Sequence, residues 1–243
     1  MPRRINLSKQ VLERVRARRE AFAHFQYFVD WVQEHKSPRW VFRGQSQKWA
    51  LLPSVGRLDQ YKPEREIHLL EEFKRSALAN LDRRDFHSDW DWLSLAQHHG
   101  LPTRLIDWTT NPLVAGYFAC QPSPRGKRDG LVIAVEARAI GFYRPNDPEE
   151  VDPFKIEDNR FLYPSALAQR ITAQRGLFSI HANPKKRWIM KNHIKRFEIP
   201  GKLKTDFQRM FFSMGIDAAC LMTDLDGLAQ TLRWRLKNGV LTE

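Results

Sequence analysis

The chain has 243 residues, 40 Lys and Arg against 28 Asp and Glu, a net charge of +12 and a pI near 10.0. A chain of this length buries enough surface to fold without a disulfide or metal, and its 42% hydrophobic and 12% aromatic content argues against disorder. No apolar run approaches the roughly 18 residues needed to cross a bilayer; nor does an apolar stretch follow the basic start Met1-Pro2-Arg3-Arg4, so no membrane partner or secretory signal is expected and the cytoplasm is the expected compartment.

From the N-terminus, Gln10 to His35 reads as one long helix. Val11, Val15, Phe22, Phe25, Phe28, Val29 and Val32 recur at helical spacing, Ser8 could cap it, and Ser37-Pro38 ends it. Residues 1–37 are expected to form a basic helical arm packed on the domain that follows. Trp40 to Gly44 is a short β-prone run with a glycine turn after it. Pro63 to Leu81 is a second helix, with Ile67, Leu70, Phe73, Ala77 and Leu81 on one face. Trp90 to His99 is a third, stopped by Gly100 as a C-cap and then by Pro102.

Thr103 to Trp108 is expected as a short strand, and Asn111-Pro112 starts a fourth helix that runs to about Cys120. Leu131 to Ala137, nearly all apolar, reads as a strand covered on both faces. Gly141 to Leu162, rich in Pro, Asp and Glu, is expected to be a surface loop. Ile171 to His181 and Lys195 to Ile199 look strand-like, and Lys202 to Met214 and Leu225 to Leu236 read as amphipathic helices. Separated strands mixed with helices argue for one domain of α+β or α/β type. The expectation is α+β, a central sheet flanked by helices with an N-terminal helical arm.

The two cysteines, Cys120 and Cys220, belong to no metal-ligating pattern and read as buried thiols. The positive charge suits a polyanion, nucleic acid above all, or is ordinary surface charge.

Chemistry concentrates in two places. Arg43 ends a strand and is followed by Gly44, so a forked cation stands beside backbone that a ligand can approach closely; an ion pair at a sheet edge would look the same. The stretch Gln97 to Thr109 packs many polar groups into apolar surroundings. In a strand, Thr103, Leu105, Asp107 and Thr109 share one face, and Arg104, Ile106 and Trp108 the other. Thr103, Asp107 and Thr109 then form a polar row able to bond a sugar or phosphate, and a buried Asp107 needs Arg43 or Arg104 as partner. Consecutive residues point about 100° apart on a helix, so His98 and His99 cannot share a metal, and no metal site is expected. One of them, with His98 the candidate, is a general base or donor, and the other caps the helix. No GxSxG, Walker or dinucleotide-binding glycine pattern is present.

These residues carry a resemblance. Phe42-Arg43-Gly44-Gln45 with Trp49, Leu52-Pro53 and Arg57, and then Gln97 to Thr109 with Asn111-Pro112, Ala115 and Tyr117-Phe118-Ala119, resemble the first two blocks of the FRG domain family. Gln174 to Ser179 is similar to a third block, and Gly215-Ile216-Asp217 with Asp224 to Leu228 to a closing helix. The resemblance places an FRG domain over residues 38–243. The block order in turn resembles ADP-ribosyltransferases of the Arg-Ser-Glu kind, with Arg43 matching the early arginine, Thr103 to Thr109 the polar strand and Gln174 the late glutamate position.

That likeness implies an NAD-consuming transferase or glycohydrolase acting as a bacterial toxin or phage-defence effector. Its target would be nucleic acid or protein, and an antitoxin or other defence-system protein would be its partner. The catalytic set would be Arg43, His98, Asp107 and Gln174. NAD would be held by Arg43, Gly44, Gln45, Gln97, Thr103, Arg104, Trp108, Thr109 and Tyr117, with Trp108 or Tyr117 stacking on nicotinamide. Gln174 stands where active transferases carry Glu. The alternative is a non-catalytic nucleic-acid-binding or sensing module.

Overall fold

Among the described residues seven strands form one sheet, and the pattern of apolar residues on each strand decides what covers it. The computed structural model describes residues 9–77, 88–143, 152–164, 173–190 and 192–240. In chain order the elements are α1 (Lys9–Glu34), β1 (Trp40–Gln45), α2 (Pro63–Ala77), α3 (Asp89–His98), β2 (Leu105–Thr109), α4 (Pro112–Ala119), β3 (Gly130–Glu136), α5 (Ala137–Ile140), β4 (Phe142–Tyr143), β5 (Arg160–Leu162), β6 (Gly176–Ile180), β7 (Ile194–Ile199), α6 (Lys204–Ser213), α7 (Ala218–Met222) and α8 (Leu225–Asn238). The strand order is β4-β5-β6-β2-β1-β3-β7, antiparallel throughout except for the parallel β4–β5 pair. This is an α+β fold.

Register assigns the two faces. Phe42 lies opposite both Thr109 and Ala134, Asp107 opposite Phe178, and Phe178 opposite Leu162, so these residues share one face. Two helical layers cover it. Over the β1–β3 half, Phe25 and Phe28 of α1, Val114 and Ala115 of α4, and Phe207 and Phe211 of α6 pack on Phe42, Val132 and Ala134. Over the other half, Leu70 of α2 and Trp90, Leu93 and Ala96 of α3 pack on Leu105, Leu162, Phe178 and Ile180. The opposite face, with Val41, Ile106, Trp108, Ile133, Val135 and Leu177, is covered by irregular segments carrying Leu51, Trp188 and Met190. β3 is thus buried on both sides, as its unbroken apolar run requires.

Several elements differ from the sequence expectation. Gly141 to Leu162 is not all loop, because β4 and β5 extend the sheet there. β2 begins at Leu105 instead of Thr103. The Thr103 amide donates to the Ser54 hydroxyl, the Thr103 carbonyl accepts from Val55, and the Thr103 hydroxyl accepts from Leu105, so these groups are used before a ladder begins. A separate short helix, α7, precedes α8. Cys220 is exposed, whereas Cys120 is buried. The expected Ser8 cap, residues 78–81 of the second helix and residues 171–172 of the expected Ile171–His181 strand lie outside the described residues. Among the described residues no helix is long and apolar enough to cross a membrane.

Candidate functional site

The helix-covered face leaves an opening between α3 and α4, above β1, β2 and β6. It is a cleft of about 360 Å³, within the range that takes a small molecule. Phe42, Arg43 and Gly44 come to it from β1, Gln97, His98 and Gly100 from the end of α3, Asp107, Trp108 and Thr109 from β2, Val114 and Phe118 from α4, and Gln174, Gly176, Leu177 and Phe178 from around β6.

The end of α3 is set by a capping arrangement. Gly100 takes φ +82°, the Gly100 N–H donates to the Gln97 carbonyl and the Leu101 N–H to the Ala96 carbonyl, which closes the last turn as a Schellman motif. That stop places Gln97 over the strand. Its Nε2 donates to both carboxylate oxygens of Asp107, at 3.1 and 3.0 Å, and its Oε1 accepts from the Thr103 hydroxyl at 2.6 Å. Thr103 is buried, so the relay Thr103–Gln97–Asp107 runs from the interior to the cleft and fixes one carboxylate there. The Asp107 side chain keeps 58% of its surface exposed.

Arg43 is the cation of this floor. β1 and β2 share the single register pair Phe42–Thr109, and beyond it the Arg43 Nη1 donates to the Asp107 carbonyl at 2.6 Å and lies 3.7 Å from the Asp107 carboxylate. Burial pushes its pKa below the ordinary arginine value; Asp107 opposes that shift and Arg57 adds to it. Its Nε is buried without a partner among the described residues.

Gly44 serves helix packing. A Cβ there would come 1.9 Å from the Ala115 carbonyl oxygen and 2.7 Å from the Ala119 nitrogen, so α4 lies directly against β1 backbone. The glycine of the Phe-Arg-Gly triplet makes room for a helix, which in turn forms one wall of the cleft.

Other residues singled out from sequence are placed elsewhere. Arg104 is buried and forks onto Glu66, Nε to Oε1 at 2.9 Å and Nη2 to Oε2 at 2.8 Å, with Nη1 on the Pro153 carbonyl. It ties elements together and cannot reach a cleft ligand. The Trp108 ring lies on the opposite face against Phe161 and Trp188, its Nε1 donating to Ser179 Oγ, so only its backbone borders the cleft and it cannot stack on a ligand there. Tyr117 is buried and lines a different, smaller pocket with Gln208 and Trp234. Burial there raises its hydroxyl pKa to about 12. Gln45 is buried and does not line the cleft.

Gln174 does reach it, but its side-chain Nε2 donates to the Leu221 carbonyl and its backbone carbonyl accepts from the Thr109 hydroxyl at 2.6 Å. Thr109 also accepts from the Asn111 N–H, so its hydroxyl is committed to shaping the strand-to-helix turn. Among the described residues no cluster of three or more His, Cys, Asp or Glu could hold a metal ion.

Phe42, singled out with Arg43 and Gly44, lines the cleft, but sequence reasoning missed the other apolar walls, Val114, Phe118 and Phe178. The signal for Phe178 was available only through pairing, since it lies directly across from Asp107. It also missed a buried polar chain behind the site. Asn159 holds its Oδ1 on the Ala182 N–H, so its Nδ2 faces His181 Nδ1 as donor; His181 then carries its proton on Nε2 and gives it to Ser179 Oγ, which also accepts from Trp108. Burial, with Arg43 and Arg104 nearby, pushes the His181 pKa down to about 3, so the ring is neutral.

The triplet Phe42-Arg43-Gly44 and the Gln97–Thr109 block, which meet in the cleft, both fall inside the region, residues 38–128, that matches the FRG domain family model. Residues 38–128 are the FRG-domain part of the chain. The FRG match ends before β3, so the β6 residues that close the cleft, and the whole of α6 to α8, lie beyond it. Neither a curated protein nor a solved structure matches this chain.

Proposed function

We propose that the cleft binds NAD and breaks its nicotinamide–ribose bond, making the protein an ADP-ribosyltransferase-like enzyme or glycohydrolase. The observation that carries this reading is convergence: Arg43, His98, Asp107 and Gln174, from four separate segments, border one cleft of ligand size. The N-glycosidic bond breaks with its electron pair going to the nicotinamide nitrogen, and cationic character develops at the ribose. Asp107, held in one orientation by Gln97, is the group suited to face that charge. It takes the part that a late glutamate plays in the resembled transferases, since the Gln174 amide is spent on Leu221. Arg43 supplies positive charge for the pyrophosphate, and Phe42, Phe118 and Phe178 supply the aromatic walls in place of Trp108 and Tyr117. Water or an acceptor hydroxyl then attacks the ribose and gives its proton to His98.

Purified protein is incubated with NAD, with and without cell lysate, and nicotinamide release is measured. Release is expected, and Asp107→Asn should lower it by about two to three orders of magnitude while melting stays near wild type. Absence of nicotinamide under both conditions, or full activity in Asp107→Asn, rejects the proposal. The biological setting proposed with it is a toxin or phage-defence effector, so expression of the wild type, and not of Asp107→Asn, should arrest growth.

The net charge of +12 supports a second reading, a non-catalytic nucleic-acid-binding module. Lys48, Arg125 and Arg128 border a shallow depression that shares no lining residue with the cleft. On that reading nucleic-acid affinity falls steeply with salt and no nicotinamide appears.

A further inference from the structure

The last helix is amphipathic, yet its leucines face solvent. Leu225, Leu228, Leu232 and Leu236 are 81%, 45%, 49% and 66% exposed. At about 100° per residue they fall within one narrow stripe. The other side of α8 is the one fixed to the domain: Gly227 and Thr231 are buried, Thr231 Oγ1 accepts from the Ala219 N–H, and a Cβ on Gly227 would come 2.6 Å from the Ala218 carbonyl oxygen. A protein rarely leaves so regular an apolar stripe in water unless something covers it.

The charges beside the stripe say what covers it. Asp226 flanks the leucines at the start of the helix, and Arg233 and Lys237 flank them on the same side near its end. All three are exposed. When two copies of α8 are laid antiparallel across a two-fold axis centred between Leu228 and Leu232, the leucine stripes face each other. Asp226 of one copy then comes between Arg233 and Lys237 of the other, and the same contact repeats by symmetry. In a parallel pair the two flanks of the stripe meet instead, which sets Asp226 of one copy beside Asp224 of the other and Arg233 and Lys237 beside Arg235, like charge against like. The surface is therefore complementary to itself in one orientation only, which is the requirement for a closed two-fold interface.

We propose that this chain forms a homodimer through antiparallel pairing of the exposed leucine stripes of α8. Four leucines a side make a small interface, so the dimer should be concentration-dependent. α8 packs on α7, whose Leu221 carbonyl holds the Gln174 amide at the cleft, so the dimer helix is one element removed from the site. The proposal stands independently of what the cleft binds.

Sedimentation velocity of the full chain across micromolar concentrations tests it. A monomer–dimer equilibrium is expected. Leu228→Glu and Leu232→Glu should each give monomer with unchanged circular dichroism and melting. Asp226→Lys alone, and Arg233→Glu with Lys237→Glu, should each weaken the dimer about tenfold or more, through like charges brought together. Mixing those two variants should restore it, because each charge then meets its opposite; this arm also separates interface effects from any loss of helix stability. A wild type that stays monomeric, a dimer that survives Leu232→Glu, or mixing that restores nothing overturns the proposal.

Discussion

His181 illustrates how much a single buried side chain can impose on the protein's response to pH. Its ring is fully buried and held neutral, with the pKa lowered to about 3 by burial and by two nearby arginines. In the unfolded chain the same ring takes up a proton below about pH 6.5. The unfolded state therefore binds more protons than the folded one between those values, and stability falls as pH drops through that window. At about pH 5 the difference amounts to about 2 kcal/mol from this residue alone. His181→Gln keeps an amide in place of the ring and removes the titration. Its melting temperature should fall less than that of wild type between about pH 7 and pH 5. Parallel curves for the two proteins would show that His181 does not carry the effect. The residue matters to the site because its Ser179 contact fixes the Trp108 ring, and the backbone of Trp108 borders the cleft beside Asp107.

At the scale of elements, the Arg104–Glu66 pair joins three of them: α2, the entry to β2 and the segment at Pro153. The side chains are 3% and 2% exposed, and the Tyr61 hydroxyl donates to Glu66 at 3.0 Å. Burial first, and Glu66 next, push the Tyr61 pKa up to about 12. Removing one partner of such a pair leaves a buried charge uncompensated, at a cost of about 3–5 kcal/mol. Glu66→Gln and Arg104→Met should each lose about that much in urea unfolding, while Arg104→Met with Glu66→Leu should regain a large part of it. A Glu66→Gln protein as stable as wild type would mean that the pair is not holding these elements together.

Arg104 also marks where sequence reading reached its limit. Alternation along β2 correctly separated Asp107 and Thr109 from Trp108, because the parity of a strand is local. Which face meets the cleft, and which meets core, depends on elements distant in the chain. The resemblance therefore counts Trp108 and Arg104 as ligand contacts along with the rest of their block, although neither side chain is on the cleft face. Helices were legible where an apolar stripe ran for three turns or ended in a recognisable cap, as α3 does at Gly100. β4 and β5 were not, since strands of two and three residues in a Pro- and Asp-rich stretch have no period to read. Gly44 was legible as a special position, but its reason, the approach of α4 to within a Cβ's reach, exists only after the helix has packed.

Across the whole molecule, the FRG match begins at residue 38, yet the core does not. In the first half of α1 residues 11–20 are all exposed, Glu20 accepting from Lys202 at 2.6 Å, whereas Ala21, Phe25 and Phe28 are buried against Phe42, Phe207 and Phe211. α1 is therefore two things in one helix, an exposed basic arm and a core element that covers the β1–β3 half of the sheet. Removing the arm takes away no buried side chain of residues 11–20; removing the whole helix uncovers Phe207 and Phe211 and the wall on which α4 is seated. A protein starting near residue 20 should fold and melt within a few degrees of the full chain. One starting at residue 38, the edge of the FRG match, should be aggregated or unfolded. Phe28→Ala in the full chain should cost about 3–5 kcal/mol in denaturant unfolding, the scale for deleting a fully buried ring. A stable, cooperatively melting protein from residue 38 onward would mean that the FRG region and its C-terminal extension close their own core, and that α1 only rests on it.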